Sequence, residues 1–525
     1  MLQSASLEMN AARLAAIATY LLCAAVLGFR SPGMYYDEAI FFNGAVQMVN
    51  SGQEPAFAHD QWSWVTLLGR QWPIMVMPYV GSIRNYLAAI PFAAFGPNYY
   101  TARILSSLLG AIGIWGFSVL IRESFDAKTA AYTSWILAIH PGYLVLTIYQ
   151  GGVGEWMLAF AALCITLARY LRAPSTLSAF WVGLAIGFGI WTRANVAWLI
   201  GSAILAAAIV VGKRILLPSR QLAAIATGTI IGAWPLLWYE LRSDFATLRF
   251  MRSAALPDPL TDLISIRLQK LCEILISASD LRKMWDGAPP PVWQTLLFTA
   301  CVACALFICF TQSRNSNPAR RIAVLIFLFL LACMLFSRLN IASHHMIALV
   351  PIAALIVVVA AGKVCRSWPR ARYAIAAIAL LYVTTAAQSN LAAARQIRST
   401  GGVRWWSNAI DPLASYLQRN CEGKNIKVLD WGLSNNLFVL SNARIRPAEL
   451  FWGATIQRSG LGNLWKDEIS PGDVYVLHTP SLEYSPDAAE GFRRAVAGSP
   501  WSLRRTEFRQ KNGAGYAEVV EILAP

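Results

Sequence analysis

Long, nearly uncharged apolar runs decide what this chain can become. Residues 103–121, 292–311, 321–340 and 344–362 each supply about 20 residues, enough at roughly 1.5 Å rise per residue to cross a hydrocarbon layer about 30 Å thick. Inside such a layer the backbone must satisfy its own hydrogen bonds, so these runs are expected as helices. Of 525 residues 56% are hydrophobic and 14% charged, against about 25% charged in a soluble domain. The chain therefore reads as a polytopic α-helical membrane protein.

Basic residues set its expected topology. The net charge is +16, which in a soluble protein would suggest nucleic acid, but no nucleic-acid motif accompanies it. Much of the excess sits in short loops between apolar runs: Arg122 and Lys128; Arg169 and Arg172; Lys213, Arg214 and Arg220; Arg314, Arg320 and Arg321; Lys363, Arg366, Arg370 and Arg372. With all of these facing the cytoplasm, the runs alternate without conflict. The spans are then 9–29, 103–121, 129–149, 155–171, 176–192, 195–212, 221–240, 292–311, 321–340, 344–362 and 373–390, about eleven in all. The N-terminus is expected inside and the C-terminus outside. No small-residue cleavage site follows the first run, so it reads as a retained span. The nine cysteines lie mostly within apolar helices and give no disulfide framework; Cys301 and Cys304 have redox spacing but read as packing residues.

The same parity forbids Asn85–Phe95 from being a crossing, and Pro91 interrupts it. That run and Phe41–Val49 are expected to lie along the outer surface, inside one exterior loop, 30–102. A second long exterior loop, 241–291, carries the amphipathic stretch Leu260–Leu275. A transmembrane domain of residues 1–395 is followed by a polar, globular tail, 396–525. Within the tail Lys427–Trp431, Leu437–Leu440 and Val474–Leu477 read as strands, Ala488–Ala497 as a helix and Ala517–Leu523 as a closing strand. A small exterior α/β domain is the expectation.

The stretch Tyr35-Tyr36-Asp37-Glu38-Ala39 carries two carboxylates where the chain leaves the first span. Carboxylates packed among aromatics at a membrane surface are expensive to desolvate, which marks them as functional candidates. Being adjacent, Asp37 and Glu38 diverge by roughly 100° on a helix. One is expected to act as general base on a substrate hydroxyl, Asp37 before Glu38, and the other to support it. Glu155, after the turn Gly151-Gly152-Val153-Gly154, is a further catalytic candidate. For an anionic ligand the candidates are Arg84, Arg193, Arg338, His344 and His345, because a planar guanidinium grips phosphate in fixed geometry. Zinc spacing is lacking around His344-His345 and His59-Asp60. The sequence marks no definite cofactor, and a divalent cation held by Asp37 and Glu155 stays open.

Taken together, these segments resemble the GT-C superfamily of integral-membrane glycosyltransferases. The resemblance is to the branch with protein O-mannosyltransferases, the lipid A aminoarabinose transferase and lipopolysaccharide-core galacturonosyltransferases. It rests on Asp37-Glu38-Ala39 after the first span, on YVGSIRNYLAAIPFAAFG over 79–96, on ARILSSLLG over 102–110 and on HHMIALVPIAAL over 344–355. It runs in order through about the first 390 residues. The resemblance implies a polyprenyl-phosphate-linked sugar donor, inverting transfer of a hexose or pentose, and a lipid, glycan or protein acceptor at the outer face of a bacterial cytoplasmic membrane. It further implies a catalytic carboxylate at Asp37, a second polar residue at Glu155, and lipid-phosphate contacts near Arg84 and His344-His345. Here Glu155 stands where Asp is usual and Arg84 where Lys is common.

Two other classes compete. A lipid-linked glycan transporter or flippase would keep charges at mid-membrane and show two related halves. An O-antigen polymerase or ligase would place its large loop late in the chain. Here the acidic residues cluster at outer ends and the large loop follows the first span.

Overall fold

The computed structural model describes residues 2–50, 61–212, 218–311, 317–451 and 469–523; His59-Asp60, Lys213, Arg214 and Arg314 lie outside the described residues. Among those described, seven helices are long and apolar enough to cross a membrane, or up to nine if each of two bent pairs is one span. The count of eleven is not reached by length, because Thr176–Thr192 and Val196–Val211 are helices of 17 and 16 residues. At 1.5 Å per residue these reach only about 24–26 Å. The bent pairs fall where single spans were expected. Ala127–Ile139 and Pro141–Tyr149 meet at 64°, and Ser219–Gly232 and Trp234–Arg242 at 62°. At the first break Pro141 cannot donate a backbone hydrogen bond, and His140 accepts the Tyr143 N–H on its ring at 3.1 Å.

The basic loops gather at one end of the bundle. Arg13 in the first helix donates to Ser118 at 2.7 Å, near the C-terminal end of Tyr99–Ser124. Around that end, Arg172 pairs with Glu123 at 2.6 Å, Asn317 donates to the Ser124 carbonyl at 2.8 Å, and Tyr170 donates to Gln221 at 2.8 Å. Arg320 and Lys363 both lie within electrostatic reach of Cys309. At the opposite end Arg103, in the first turns of Tyr99–Ser124, donates to the carbonyls of Phe29 and Pro32 at 3.0 and 2.8 Å. The acidic stretch therefore sits at the end away from the basic loops.

Within loop 30–102 the chain forms short helices, Tyr36–Ile40 and Asn43–Val49, two hairpins (Trp64–Leu67 with Arg70–Pro73, and Met75–Met77 with Val80–Gly81), and a helix Ile83–Phe95 that contains Pro91. The tail forms a five-stranded sheet in the order Ala448–Glu449, Ile426–Val428, Val474–His478, Gly515–Leu523, Ser502–Arg509. The first three strands are parallel and the last two antiparallel to their neighbours. Leu437–Leu440 is helical rather than a strand, as part of Ser434–Leu440. Its apolar residues are buried because the helix lies between the sheet domain and the loop: Asn436 donates to the Met34 carbonyl at 2.9 Å, and Phe438 and Val439 pack with Phe42, Ala45 and Val46. A short apolar run alone does not distinguish a strand from a helix buried on several sides.

Helices Thr176–Thr192 and Ser219–Gly232 pack backbone to backbone along Gly183 and Gly187 on one and Gly228 and Gly232 on the other. A Cβ at Gly187 would overlap the Thr229 carbonyl, and one at Gly228 the Phe180 carbonyl. Between apolar helices in lipid, such close approach supplies dispersion contacts that hydrophobic burial cannot. Gly187→Leu is expected to force this pair apart and destabilise the fold by about 1–3 kcal/mol, read as a lower thermal midpoint in detergent.

Candidate functional site

Glu38 and Arg103 fix the acidic stretch to the helical bundle. Their side chains are 1% and 0% exposed, and the guanidinium meets the carboxylate with two bonds, Nε to Oε1 at 2.7 Å and Nη2 to Oε2 at 2.8 Å. The remaining donors of Arg103 reach the Phe29, Pro32 and Gly33 carbonyls, and its plane lies over the rings of Tyr99 and Tyr149 at 4.8 and 4.9 Å. Every direction around this charge is occupied, as a buried arginine requires.

With Glu38 turned inward, Asp37 points the other way and stays partly exposed. Gln150 Nε2 donates to its Oδ2 at 3.1 Å. The turn Gly151-Gly152 packs on this segment so closely that a Cβ at 151 would strike the Asp37 carbonyl, and Gly152 adopts φ +82°. Burial in the recess raises the Asp37 carboxyl to about 6, partly offset by the Gln150 hydrogen bond and the Arg193 charge. A carboxylate titrating there is basic enough to accept a proton and still ionised at neutral pH.

Arg193 stands beside it, at the end of Thr176–Thr192, held by the bridge between its backbone and Val80. Its side chain is 4% exposed, yet Nε has no hydrogen-bond partner. A Cβ on Gly152 would touch this guanidinium. His344 and His345, with ring centroids 4.0 Å apart, lie within electrostatic reach of Arg193 and Lys270. Burial first, then these neighbouring positive charges, pushes His345 down to about 3 and His344 well below its ordinary range. Both rings are therefore neutral. The Ala342 N–H donates to His345 Nδ1 at 3.1 Å, so that ring carries its proton on Nε2 and can donate from there. Arg193 acts directly on Asp37, and the neutral His pair lies between the influence of Arg193 and that of Lys270.

Arg84 and Glu155 are placed differently. They are 1% and 0% exposed and pair with each other at 3.3 Å, Arg84 also donating to Ser106 and lying 4.4 Å over the Phe42 ring. Arg338 is exposed and donates to the Asp258 carbonyl at 3.1 Å. Among the described residues no three His, Cys, Asp or Glu side chains converge. Glu155, already neutralised by Arg84, does not offer with Asp37 the donor set a divalent cation would need. Residues that sequence reading missed are Gln150 and Tyr79, whereas Lys270 belongs to the basic residues of the exterior loop 241–291 that the sequence offers to an anionic lipid head. Tyr79 lies within electrostatic reach of both Arg193 and Asp37, and Lys270 donates to the Ile341 carbonyl at 3.4 Å. Only the Gly151-Gly152 turn beside Gln150 signalled a close backbone approach.

Many crossing helices, an acidic loop after the first span and a small sheet domain behind the last make up a fold that this chain shares with solved membrane proteins. Residues 81–239 match the family described as dolichyl-phosphate-mannose-protein mannosyltransferase. ArnT from Cupriavidus metallidurans, in a crystal structure bound to undecaprenyl phosphate, superposes with a TM-score of 0.64 at 12% identity, over 96% of this chain and 97% of that one. The oligosaccharyltransferase of Archaeoglobus fulgidus, in a complex with Zn and sulfate, superposes with a TM-score of 0.55 at 12% identity, over 95% of this chain and 72% of that one. No curated protein matches the chain.

The Glu38–Arg103 pair makes a clear expectation. Arg103→Met leaves a buried carboxylate without its partner and is expected to destabilise the protein by about 3–5 kcal/mol. The thermal midpoint of the purified protein in detergent should fall accordingly, whereas Arg338→Met should leave it nearly unchanged.

Proposed function

We propose that this chain transfers a hexosyl or pentosyl group, with inversion, from a polyprenyl-phosphate-linked donor to an acceptor hydroxyl at the outer face of a bacterial cytoplasmic membrane. The observation that carries this reading is the adjacency of a raised, partly exposed carboxylate, Asp37, to a buried guanidinium, Arg193, whose Nε is unpaired. Asp37 takes the proton of the acceptor hydroxyl as its oxygen attacks the anomeric carbon. The bond between that carbon and the donor phosphate oxygen breaks on the opposite side, and its electron pair leaves with the polyprenyl phosphate. Arg193, Lys270 and the His345 Nε2–H stabilise the charge that develops there. Gln150 orients Asp37. Glu38 and Glu155 serve as anchors through Arg103 and Arg84 rather than as proton carriers, and Arg84 holds Glu155 rather than the lipid phosphate.

The basic loops at the end away from Asp37 support an inside N-terminus and an outer-face site. Undecaprenyl phosphate in the ArnT structure supports the class of donor. A guanidinium next to a base suits a phosphate leaving group, and its position at the end away from the basic loops differs from the mid-membrane charges of a transporter.

Asp37→Asn is expected to lower transfer of sugar from a polyprenyl-phosphate donor by about 10²–10⁴-fold. Arg193→Gln should weaken binding of undecaprenyl phosphate, with Arg338→Gln close to wild type. An active Asp37→Asn enzyme would overturn the assignment of the base. Activity should rise with pH through about 6, where Asp37 ionises. Stability should move oppositely. The folded state holds the Asp37 proton more tightly than the unfolded chain, so stability falls as pH rises from about 4 towards 6. Thermal melts of Asp37→Asn across that window should lack this component of the slope.

A further inference from the structure

We infer that the C-terminal domain carries a carbohydrate-binding face, built from Trp405, Trp431 and Tyr484, that holds the acceptor by one of its sugar rings next to Asp37. This rests on the transfer reading above and deepens it by assigning the acceptor class.

Three large aromatic side chains meet at the surface of this domain where it faces the acidic stretch. Trp431 and Tyr484 have ring centroids 5.3 Å apart, Trp405 and Trp431 5.9 Å, and Trp405 and Tyr484 6.4 Å. Tyr484 is 59% exposed, and both tryptophans are partly exposed. Trp405 and Trp431 rest their inner sides on the core, and with the exposed Tyr484 ring they leave a partly open aromatic edge at the surface. The cluster continues into the catalytic segment. Trp431 lies 4.7 Å from the Tyr36 ring and 5.5 Å from the Tyr35 ring, the two residues immediately before Asp37. Tyr35 is within electrostatic reach of both Asp37 and Tyr484.

The face is built in advance. The buried Asp430 carboxylate accepts the backbone N–H groups of Trp431, Tyr484 and Ser485 at 2.8–3.1 Å, and the His478 ring at 2.9 Å. One side chain thus ties the loop bearing Trp431 to the loop bearing Tyr484. Trp405 donates its indole N–H to the Leu482 carbonyl at 2.9 Å, which fixes a third ring to the same loop. Preorganised rings lose little freedom on binding.

The chemistry favours a sugar over a polypeptide. A pyranose presents a face of C–H groups that packs on an aromatic plane and a rim of hydroxyls that seek polar tips. The Trp431 indole N–H and the Tyr484 hydroxyl have no hydrogen-bond partner among the described residues and lie at the edge of those planes. An acceptor peptide would instead need main-chain groups to pair with. Here the N–H groups of Trp431, Tyr484 and Ser485 are spent on Asp430, and the Leu482 carbonyl on Trp405.

Saturation-transfer NMR on the full chain in detergent tests this. The probes are methyl glycopyranosides of the gluco, galacto and manno series, and a threonine-containing peptide. Undecaprenyl phosphate binding is measured on the same samples. Transfer to ring protons of at least one glycoside is expected, weakened roughly tenfold in Trp431→Ala and Tyr484→Ala and retained in Asp37→Asn. Tyr484→Phe should keep the stacking and lose only part of the affinity. Undecaprenyl phosphate binding should be unchanged in the Trp431 and Tyr484 variants, which shows that they fold. The inference is overturned if no glycoside receives saturation, if the signal survives in both alanine variants, or if only the peptide shows Trp431-dependent binding. Loss of undecaprenyl phosphate binding by the wild-type chain would instead sink the transfer reading itself.

Discussion

The site depends on one buried ion pair. A segment that leaves the membrane after the first span has no intrinsic reason to hold a single conformation, and two adjacent carboxylates make it less ordered still. Arg103 settles this by taking Glu38 into the bundle with two short bonds and closing its remaining donors on the Phe29, Pro32 and Gly33 carbonyls. Because neighbouring side chains on a short helix diverge, burying Glu38 turns Asp37 towards the opening. An arginine in the first turns of one helix thereby sets the direction of a carboxylate in the preceding loop.

Around this anchor the charges divide into two kinds. Glu38 with Arg103 and Glu155 with Arg84 are ion-paired and closed to solvent; the first holds the loop against Tyr99–Ser124 and the second holds the helix Val153–Arg172 against Ile83–Phe95. Asp37 and Lys270 are partly exposed, and Arg193 is buried within electrostatic reach of Asp37 with an unpaired Nε. Only the second kind can change partner during a reaction without leaving a charge stranded in a low-dielectric interior. Asp37 itself is maintained against the preference of the fold, which favours its protonated form, and strain of this sort at a reactive group is usual for enzymes.

The C-terminal domain is packed on the same loop rather than appended to it. Tyr36 donates to Glu449 at 3.0 Å, Asn436 to the Met34 carbonyl at 2.9 Å, and the Tyr35 ring stacks on Trp406 at 4.4 Å. The loop thus lies between two supports, the bundle through Glu38 and the sheet domain through its aromatic and amide side chains. A domain in this position can shape access to Asp37 without supplying a reacting group.

Most of the membrane architecture was legible in the sequence, because length and apolarity are one-dimensional properties. A run of about 20 apolar residues must be a spanning helix, and alternating basic loops must fall on one side. The acidic pair after the first span is visible as a cluster in the sequence, and its position at the end away from the basic loops follows from the same charge pattern. The bends at His140 and Ala233 and the helix Ser434–Leu440 were not legible, since each depends on what packs alongside. The same limit governed the cations. Arg84, Arg193 and Arg338 have the same chemistry in sequence, but one is ion-paired with Glu155, one is buried within electrostatic reach of Asp37, and one is exposed on a loop carbonyl. Which charges neutralise each other and which remain open to a ligand is a matter of three-dimensional proximity, and only the tertiary structure decides it.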